Sequence, residues 1–418
     1  MKPSSSWKVT LDPQGRVVLP QEVARRFGLK AGSQIRLEED GQHLILKRPT
    51  DHLAKVYIEP TNSCNLDCSI CMRHVWDEPM GNMEMAVFDR VMAGLASFDP
   101  LPSVFFGGYG EPLSHPAILE MIRRAKALGA KVELITNGTL LSKEISKALI
   151  EIGLDTLWVS IDGASPESYA DVRLGAALPA VLDNLRALYQ LRLHWLKPRR
   201  PELGIAFVAM QRNIAELPEV IRLGIRLGAS RFSISNVLPH TPELQAEMLY
   251  RQAMSSAVYQ PSGILPEVKL PRMDVNPVTR EALVQIFQEK VRTLWNGSDE
   301  RHMINVCPFI EQNSTSVRWD GRLSPCLPLL HSYQSYLEER PRLSKAYSVG
   351  SLLEQDLSDL WQDPEYVALR ERLVEFSFSP CTFCNSCEMP ESNLEDCFGN
   401  IFPTCGGCLW AQGLIQCP

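Results

Sequence analysis

No cysteine occurs between Cys71 and Cys307, although the 418-residue chain holds twelve. Three lie within residues 64–71 and nine between Cys307 and Cys417. Also missing is an apolar run of the roughly 20 residues that a membrane helix needs. The start, Met1-Lys2-Pro3-Ser4-Ser5-Ser6, is polar and unlike a signal peptide. The expected location is therefore the cytoplasm, and no membrane partner is expected. In that reducing compartment, crowded cysteines point to metal or cluster ligation rather than to disulfides. A strong excess of one charge is lacking too. With 42 Lys+Arg against 49 Asp+Glu the net charge is −7, which gives no reason to expect nucleic acid as the main partner.

What is present suits a soluble, multidomain protein. Hydrophobic content of 45% supports a real core and 22% charge is ordinary. From Lys55 to about His240 the chain alternates strand and helix patterns. Strands are expected at Val56–Ile58, Val104–Phe106, Val132–Ile135, Thr156–Ile161, Ile205–Met210 and Phe232–Ser235. Phe88, Val91, Met92 and Leu95 mark one apolar helical face, and Ile118, Met121, Ile122 and Ala125 another. Ser142 reads as an N-cap, and Gly129, Gly153 and Gly228 read as helix ends. Such alternation implies a parallel sheet covered by helices. Six units are too few for an eight-fold barrel, so the expected fold is α/β with a partial (β/α)6 barrel and its chemistry at the C-terminal strand ends.

The motifs fall on that rim. Cys64, Cys68 and Cys71 follow the first strand, and Gly107-Gly108-Tyr109-Gly110-Glu111-Pro112 the second. Thr136-Asn137-Gly138 follows the third, Ser160-Ile161-Asp162-Gly163 closes the fourth, and Gln211-Arg212-Asn213 follows the fifth. Three thiolates on one tight loop can hold three irons of a [4Fe–4S] cubane and leave the fourth iron open to a small molecule. Structural zinc normally wants four ligands, so the lone triplet fits zinc poorly. The CxxxCxxC spacing, with the strand-end motifs, resembles the radical S-adenosylmethionine (SAM) enzymes. The resemblance implies reductive cleavage of SAM to a 5′-deoxyadenosyl radical on the Cys64/Cys68/Cys71 cluster. It also implies an electron donor such as ferredoxin or flavodoxin. Gly107, Gly108, Gly110 and Glu111 match the family's motif for the SAM amino group, with Tyr109 inserted. Ser160 and Asp162 match its ribose site, with Asn137 on the same rim. Arg173 matches an arginine that pairs with the SAM carboxylate, and Ile70 holds the position beside the adenine. His74 and Trp76 are expected to be solvated or core residues, not ligands.

The flanks carry their own signals. In residues 1–50, short strands at Trp7–Leu11 and Arg16–Leu19 flank a turn. A helix at Gln21–Phe27 ends at Gly28, and Gln34–Glu38 and Gln42–Lys47 flank Asp40-Gly41, a hairpin signal. Gly15–Pro20 and Phe27–Gly32 resemble the AbrB/MazE-like swapped-hairpin domain, in which two copies interlace. Nine Lys/Arg against five Asp/Glu leave this stretch locally basic. That permits DNA binding, but a dimerisation or docking module is the expectation, with a homodimer joined through residues 1–50. Residues 241–300 read as a helical bridge, with helices near 241–256 and 279–294.

At the C-terminal end, Thr315–Trp319 and Arg322–Ser324 form a hairpin about Asp320-Gly321 that draws Cys307 and Cys326 together. The spacing Cys307, Gly321, Cys326 resembles the opening of the SPASM domain, which implies auxiliary [4Fe–4S] clusters. Cys381, Cys384, Cys387, Cys397, Cys405, Cys408 and Cys417 follow. Two auxiliary clusters are expected, with ligand pairing left open and a zinc ribbon as the alternative for part of the tail. The units are thus expected at 1–50, 51–240, 241–300 and 301–418.

Several stretches resemble the maturases of tungsten-dependent oxidoreductases. They are Ile58–Asn62 with Met72–Pro79, Asn236-Val237-Leu238-Pro239, and Cys405–Gly413. The implied function is radical modification of a peptide or protein substrate, in maturation of such an oxidoreductase. A ribosomal-peptide or sulfatase maturase is the alternative within the class. Sulfatase-maturating relatives place Asp after the hairpin cysteine, where this chain has Leu327. A DNA-binding regulator that senses iron–sulfur and SAM is the alternative from another class. No catalytic acid or base stands out.

Overall fold

The computed structural model describes residues 9–30, 33, 35–39, 44–46, 49–194, 200–250, 267–288, 292–295, 305–337, 339–379, 381–382 and 387–417. In the first unit, β1 (Thr10–Leu11) pairs antiparallel with β2 (Val17–Val18), and β3 (Leu37–Glu39) with β4 (Leu44–Leu46). Asp12 Oδ1 shapes the first turn by accepting from the Gln14 and Arg16 amides. A helix, Gln21–Arg26, stands between the two ladders. This is the expected pattern with shorter strands; Asp40-Gly41 lies outside the described residues. Among the described residues of this unit the apolar strand side chains lie open, Leu11 at 66% and Leu44 at 70% exposure, with Val18 and Leu37 exposed as well.

The six expected barrel strands are β5 (Lys55–Ile58), β6 (Ser103–Phe106), β7 (Val132–Thr136), β8 (Thr156–Ser160), β9 (Glu202–Ala209) and β10 (Ala229–Asn236). They pair in sequence order, all parallel. Side chains alternate across them, as pleating requires. Val56, Ile58, Val104, Phe106, Leu157 and Val159 face the helical layer, whereas Tyr57, Phe105 and Trp158 face the other side. Ser142 caps the helix Lys143–Ile152 through the Ile145 amide, and Gly153 ends it at φ 81°. Two helices, Pro166–Val172 and Leu178–His194, follow β8.

Beyond β10 the sheet continues, which corrects the expected helical bridge. The helices there are Pro242–Ala246 and Pro277–Gln288, and between and after them come β11 (Glu267–Leu270) and β12 (Arg292–Trp295). β11 pairs parallel with β10, and β12 with β11. The Glu-Val-Lys-Leu alternation buries Val268 and Leu270 and is a strand signal that the proline-bearing surroundings concealed.

On the opposite edge, β13 (Ser314–Val317) pairs parallel with β5, and β14 (Arg322–Ser324) continues antiparallel to β17 (Gly350–Ser351). The expected hairpin is thus present, but it also joins the barrel sheet. β15 (Tyr333–Leu337) and β16 (Arg340–Ser344) form a separate antiparallel hairpin. Leu409, Trp410, Leu414 and Ile415 from the C-terminal segment pack in one cluster with Tyr57, Phe105 and Trp158. The inner face of the sheet is therefore filled by the chain's last residues. Asn236, at the end of β10, fixes that segment by donating through Nδ2 to Leu414 O (2.7 Å) and Arg272 O (2.9 Å). Among the described residues no helix is long and apolar enough to cross a membrane.

Asn236→Ala should strand those two buried carbonyls, each at a cost of about 1–3 kcal/mol. Thermal unfolding should shift down, and amide exchange should quicken across residues 411–416. An unaltered exchange pattern would show that the segment is held without Asn236.

Candidate functional site

The cysteine loop leaves β5 and is stitched to the opposite side of the rim. Asp67 N donates to Leu174 O (3.2 Å) and Ser69 N to Val172 O (3.0 Å). Each sulfur has its own donor. The Leu66 amide (3.4 Å) and Asn137 Nδ2 (3.8 Å) face Cys64, Arg173 Nη1 faces Cys68 (3.8 Å), and Arg73 Nε faces Cys71 (3.2 Å). Burial pushes the Cys64 and Cys68 thiols above their ordinary pKa, with Arg173 pulling Cys68 partly back. Ile70 packs against Val172, Met210, Val237 and Leu244. His74 is partly exposed and meets Asp67 at 2.6 Å.

The glycine motif lies directly on this loop. Gly110 has no room for a side chain, because a Cβ would stand 2.2 Å from Thr61 O and 2.5 Å from Ser63 O. Gly108 adopts φ 125° over the Glu59 side chain, a conformation that glycine alone takes readily. Gly107 N donates to Ile58 O (3.0 Å) and Glu111 N to Ser63 O (2.8 Å). Glu111 is buried and already occupied. Its Oε1 accepts from Leu113 N and Thr136 Oγ1, and its Oε2 from Asn137 N. Burial raises its pKa while those bonds oppose the rise. The carboxylate expected to meet a ligand therefore braces the β6 and β7 loops. Asn137 extends the brace by donating to Asn65 Oδ1 (2.9 Å) and accepting from Thr139.

Asp162 and Arg173 pair with each other. Arg173 reaches Asp162 Oδ2 through Nε (2.6 Å) and Nη2 (2.5 Å), and Asp162 Oδ1 accepts from Val208 N (2.7 Å). Asp162 is fully buried, as an acid with such partners can be. Burial alone would lower the pKa of Arg173, but Asp162 and Cys68 together push it above its ordinary value. Arg173 thus links the β8 end to a cluster cysteine. Ser160 ends β8, in register with Ala206.

Sequence reasoning missed a buried polar network at this rim. His331 is 0% exposed, with Nε2 at 2.9 Å from Glu59 Oε2 and Nδ1 at 2.8 Å from Glu78 Oε2. Glu59, also fully buried, accepts from Tyr109 N (3.3 Å), and Arg318 Nη2 meets Glu78 Oε2 at 2.9 Å. Trp76 stacks on the His331 ring at 4.0 Å, and Tyr109 meets both rings edge-on. Tyr109, the insertion in the glycine motif, donates its hydroxyl to Leu327 O (3.2 Å), beside Cys326. Burial opposes protonation of His331, but Glu59 and then Glu78 raise its pKa.

Of the C-terminal cysteines, Cys307, Cys326, Cys405 and Cys408 line one cavity together with Tyr333 and Arg342. Burial pushes all four thiols up, Cys307 to about 12. Cys381 is a separate position, close enough to Cys397 to feel its charge and bonded to Ser379 Oγ at 3.0 Å. Cys387 and Cys397 are exposed, and Cys384 lies outside the described residues. Cys417 stands apart against Trp410 and Lys55, its thiol pushed by burial to about 11. Among the described residues no three His, Cys, Asp or Glu side chains converge as a single metal ion requires. A cubane spreads its thiolates over separate irons and needs them further apart.

The radical SAM superfamily matches residues 58–195, an iron–sulfur cluster-binding domain (SPASM) matches 307–388, and the MazE antitoxin, described as antidote-toxin recognition, matches 8–53. A Pyrococcus furiosus protein named tungsten-containing aldehyde ferredoxin oxidoreductase cofactor-modifying protein is 30% identical over 370 residues, covering 87% of this chain and 96% of that one. The chain belongs to the radical SAM superfamily. A superfamily fold is also evident at lower identity. The crystal structure of Streptococcus suis SuiB bound to precursor peptide SuiA superposes with a TM-score of 0.55 at 16% identity, covering 77% of this chain and 67% of that chain. Fe-coproporphyrin III synthase of Methanosarcina barkeri is 29% identical, covering 86% of this chain and 90% of that protein. The residues fit the clusters that the superfamily implies. Three thiols with separate amide or guanidinium donors suit one cubane, and four thiols lining one cavity suit another.

His331→Leu should leave Glu59 and Glu78 facing each other without their shared cation, costing about 3–5 kcal/mol. Because the folded pKa of His331 is raised, its protonation contributes fully below about 6.5, the unfolded value, and is lost as pH rises through the folded value. Thermal unfolding should therefore separate the variant from the parent more at pH 6 than at pH 9. An equal gap at both pH values would contradict a cationic His331.

Proposed function

We propose that this chain is a maturase for a tungsten-dependent aldehyde oxidoreductase, acting through SAM, a [4Fe–4S] cluster on Cys64, Cys68 and Cys71, and two auxiliary clusters. The similarity to the Pyrococcus protein, which runs through nearly the whole length of both chains, carries this reading. When bound, the cluster and SAM supply a 5′-deoxyadenosyl radical for hydrogen abstraction from the substrate. The substrate is a protein of that oxidoreductase system, and a ferredoxin or flavodoxin serves as electron donor.

The chain's own residues bind and orient. The backbone of Gly107, Gly108 and Gly110 takes the SAM amino group, with Glu111 and Asn137 fixing the loop's shape. Arg173 holds the SAM carboxylate and keeps its place beside Cys68 because Asp162 pins two of its donors. Ser160 contributes at the ribose. This differs from a direct ribose contact by Asp162, whose oxygens are already engaged. The C-terminal segment packed on the sheet's inner face excludes water from the space between the two ends. One auxiliary cluster is held by Cys307, Cys326, Cys405 and Cys408, and the other draws on Cys381, Cys384, Cys387 and Cys397. Cys417 is left outside both sets.

Residues 1–50 act as a homodimer joint. Apolar strand residues exposed to this degree in so small a unit call for a covering surface, and a second copy of the same hairpins supplies one.

Reconstituted protein should carry about 12 irons per chain, four per cluster. Replacing Cys64, Cys68 and Cys71 by Ala should remove about a third of them and abolish 5′-deoxyadenosine formation from SAM. Cleavage surviving the triple substitution would end the assignment. For the joint, sedimentation of the full chain should give a dimer, and a chain truncated to start at Asp51 a monomer. Two monomers would refute the joint.

A further inference from the structure

Arg342 is a buried cation without an anion. It lies on β16 opposite Ser335, is only 4% exposed, and donates through Nη1 to Pro390 O. Among the described residues no carboxylate pairs with it. Moving a guanidinium out of water costs several kcal/mol unless a counter-charge answers it. The groups whose charges reach Arg342 are Tyr333, Cys408, Cys381 and Cys405. Tyr333, Cys405 and Cys408 line the four-cysteine cavity into which Arg342 also faces, and Cys381 belongs to the other cysteine position.

The sequence around Cys405 and Cys408 is shaped to admit this side chain. In Cys405-Gly406-Gly407-Cys408, a Cβ at Gly407 would stand 2.6 Å from Arg342 Nη1 and 2.7 Å from its Cζ. A Cβ at Gly406 would meet Ser379 O at 1.9 Å. One glycine admits the guanidinium and the other admits the backbone leading to Cys381. As neutral thiols the cysteines do not balance Arg342. As ligands of a [4Fe–4S] cluster they are thiolates, and four of them leave the oxidised cubane with net negative charge.

We propose that Arg342 is the shared counter-charge of the two auxiliary cluster positions, holding the anionic clusters in place and raising their reduction potentials. The inference rests on the cluster reading above. Adding an electron to a cluster adds negative charge, so a fixed neighbouring cation favours the reduced form. Arg342 is a positioning residue and touches no substrate. It sets how readily the auxiliary clusters accept an electron.

The test uses the full chain with Cys64, Cys68 and Cys71 replaced by Ala, so that only auxiliary clusters report. Iron per chain and a potentiometric electron paramagnetic resonance titration are measured for that background and for added Arg342→Met and Arg342→Lys. Met keeps the length without the charge, and Lys keeps the charge. Arg342→Met is expected to lower the auxiliary midpoint by at least 59 mV, the one-electron equivalent of a tenfold change in equilibrium constant, or to lose auxiliary iron. Arg342→Lys is expected to retain iron and a midpoint close to the parent's. Unchanged iron and potential in Arg342→Met overturns the proposal. Equal losses in the Met and Lys variants also overturn it, because shape and not charge would then matter. A parent without auxiliary iron is a different failure, that of the cluster reading itself.

Discussion

A single buried carboxylate, Glu59, holds the working rim together. It follows β5, so it belongs to the strand that delivers the cysteine loop. One oxygen takes the Tyr109 amide of the glycine loop, and its methylene sits where a side chain on Gly108 would have to go. Its charge is answered by His331, which arrives from the C-terminal region and is itself held by Glu78. Three segments far apart in sequence are therefore positioned by one charge that must not be left alone in a low-dielectric interior. Arg318 adds a second cation at Glu78 and also reaches Asp320 at 3.4 Å.

The same rule runs through both ends of the inner space. The first cysteine group has Arg73 and Arg173 beside its sulfurs, and the second has Arg342. Burial raises the pKa of Cys64, Cys68, Cys307, Cys326, Cys405 and Cys408, since desolvation disfavours the thiolate. Iron uptake must then release protons and create the charge that the guanidinium groups await. Between the two ends lie Tyr57, Phe105, Trp158 and the C-terminal Trp410, an apolar filling that limits water.

Much of this was legible from the chain alone, and what was missed has identifiable causes. The six parallel strands and their rim motifs were readable because glycine, cysteine and helix caps punctuate them locally. Asp162 and Arg173 were expected to face a ligand separately and instead pair with each other, because sequence spacing cannot tell a salt bridge from two independent contacts. Glu111 was expected as a ligand group and is instead enclosed by Thr136, Asn137 and Leu113. His331 offered no local signal, since its partner Glu59 lies 272 positions earlier. β11 and β12 were lost because four-residue strands beside prolines look like a linker, although Val268 and Leu270 alternate correctly. The Cys405–Cys408 glycines were visible as a motif, but their reason is tertiary, namely Ser379 and Arg342 pressing on them.

The pairing of β5 with β13 has a consequence for how the protein is made. Ser314–Val317 bonds alongside Lys55–Ile58, a separation of some 260 residues. During synthesis β5 acquires β6 early, while its other hydrogen-bonding edge stays vacant until most of the chain has emerged. An open edge on an apolar strand invites pairing with a neighbouring nascent chain. The cysteine loop hangs from that same strand, so the loop and the open edge stay exposed over the same interval.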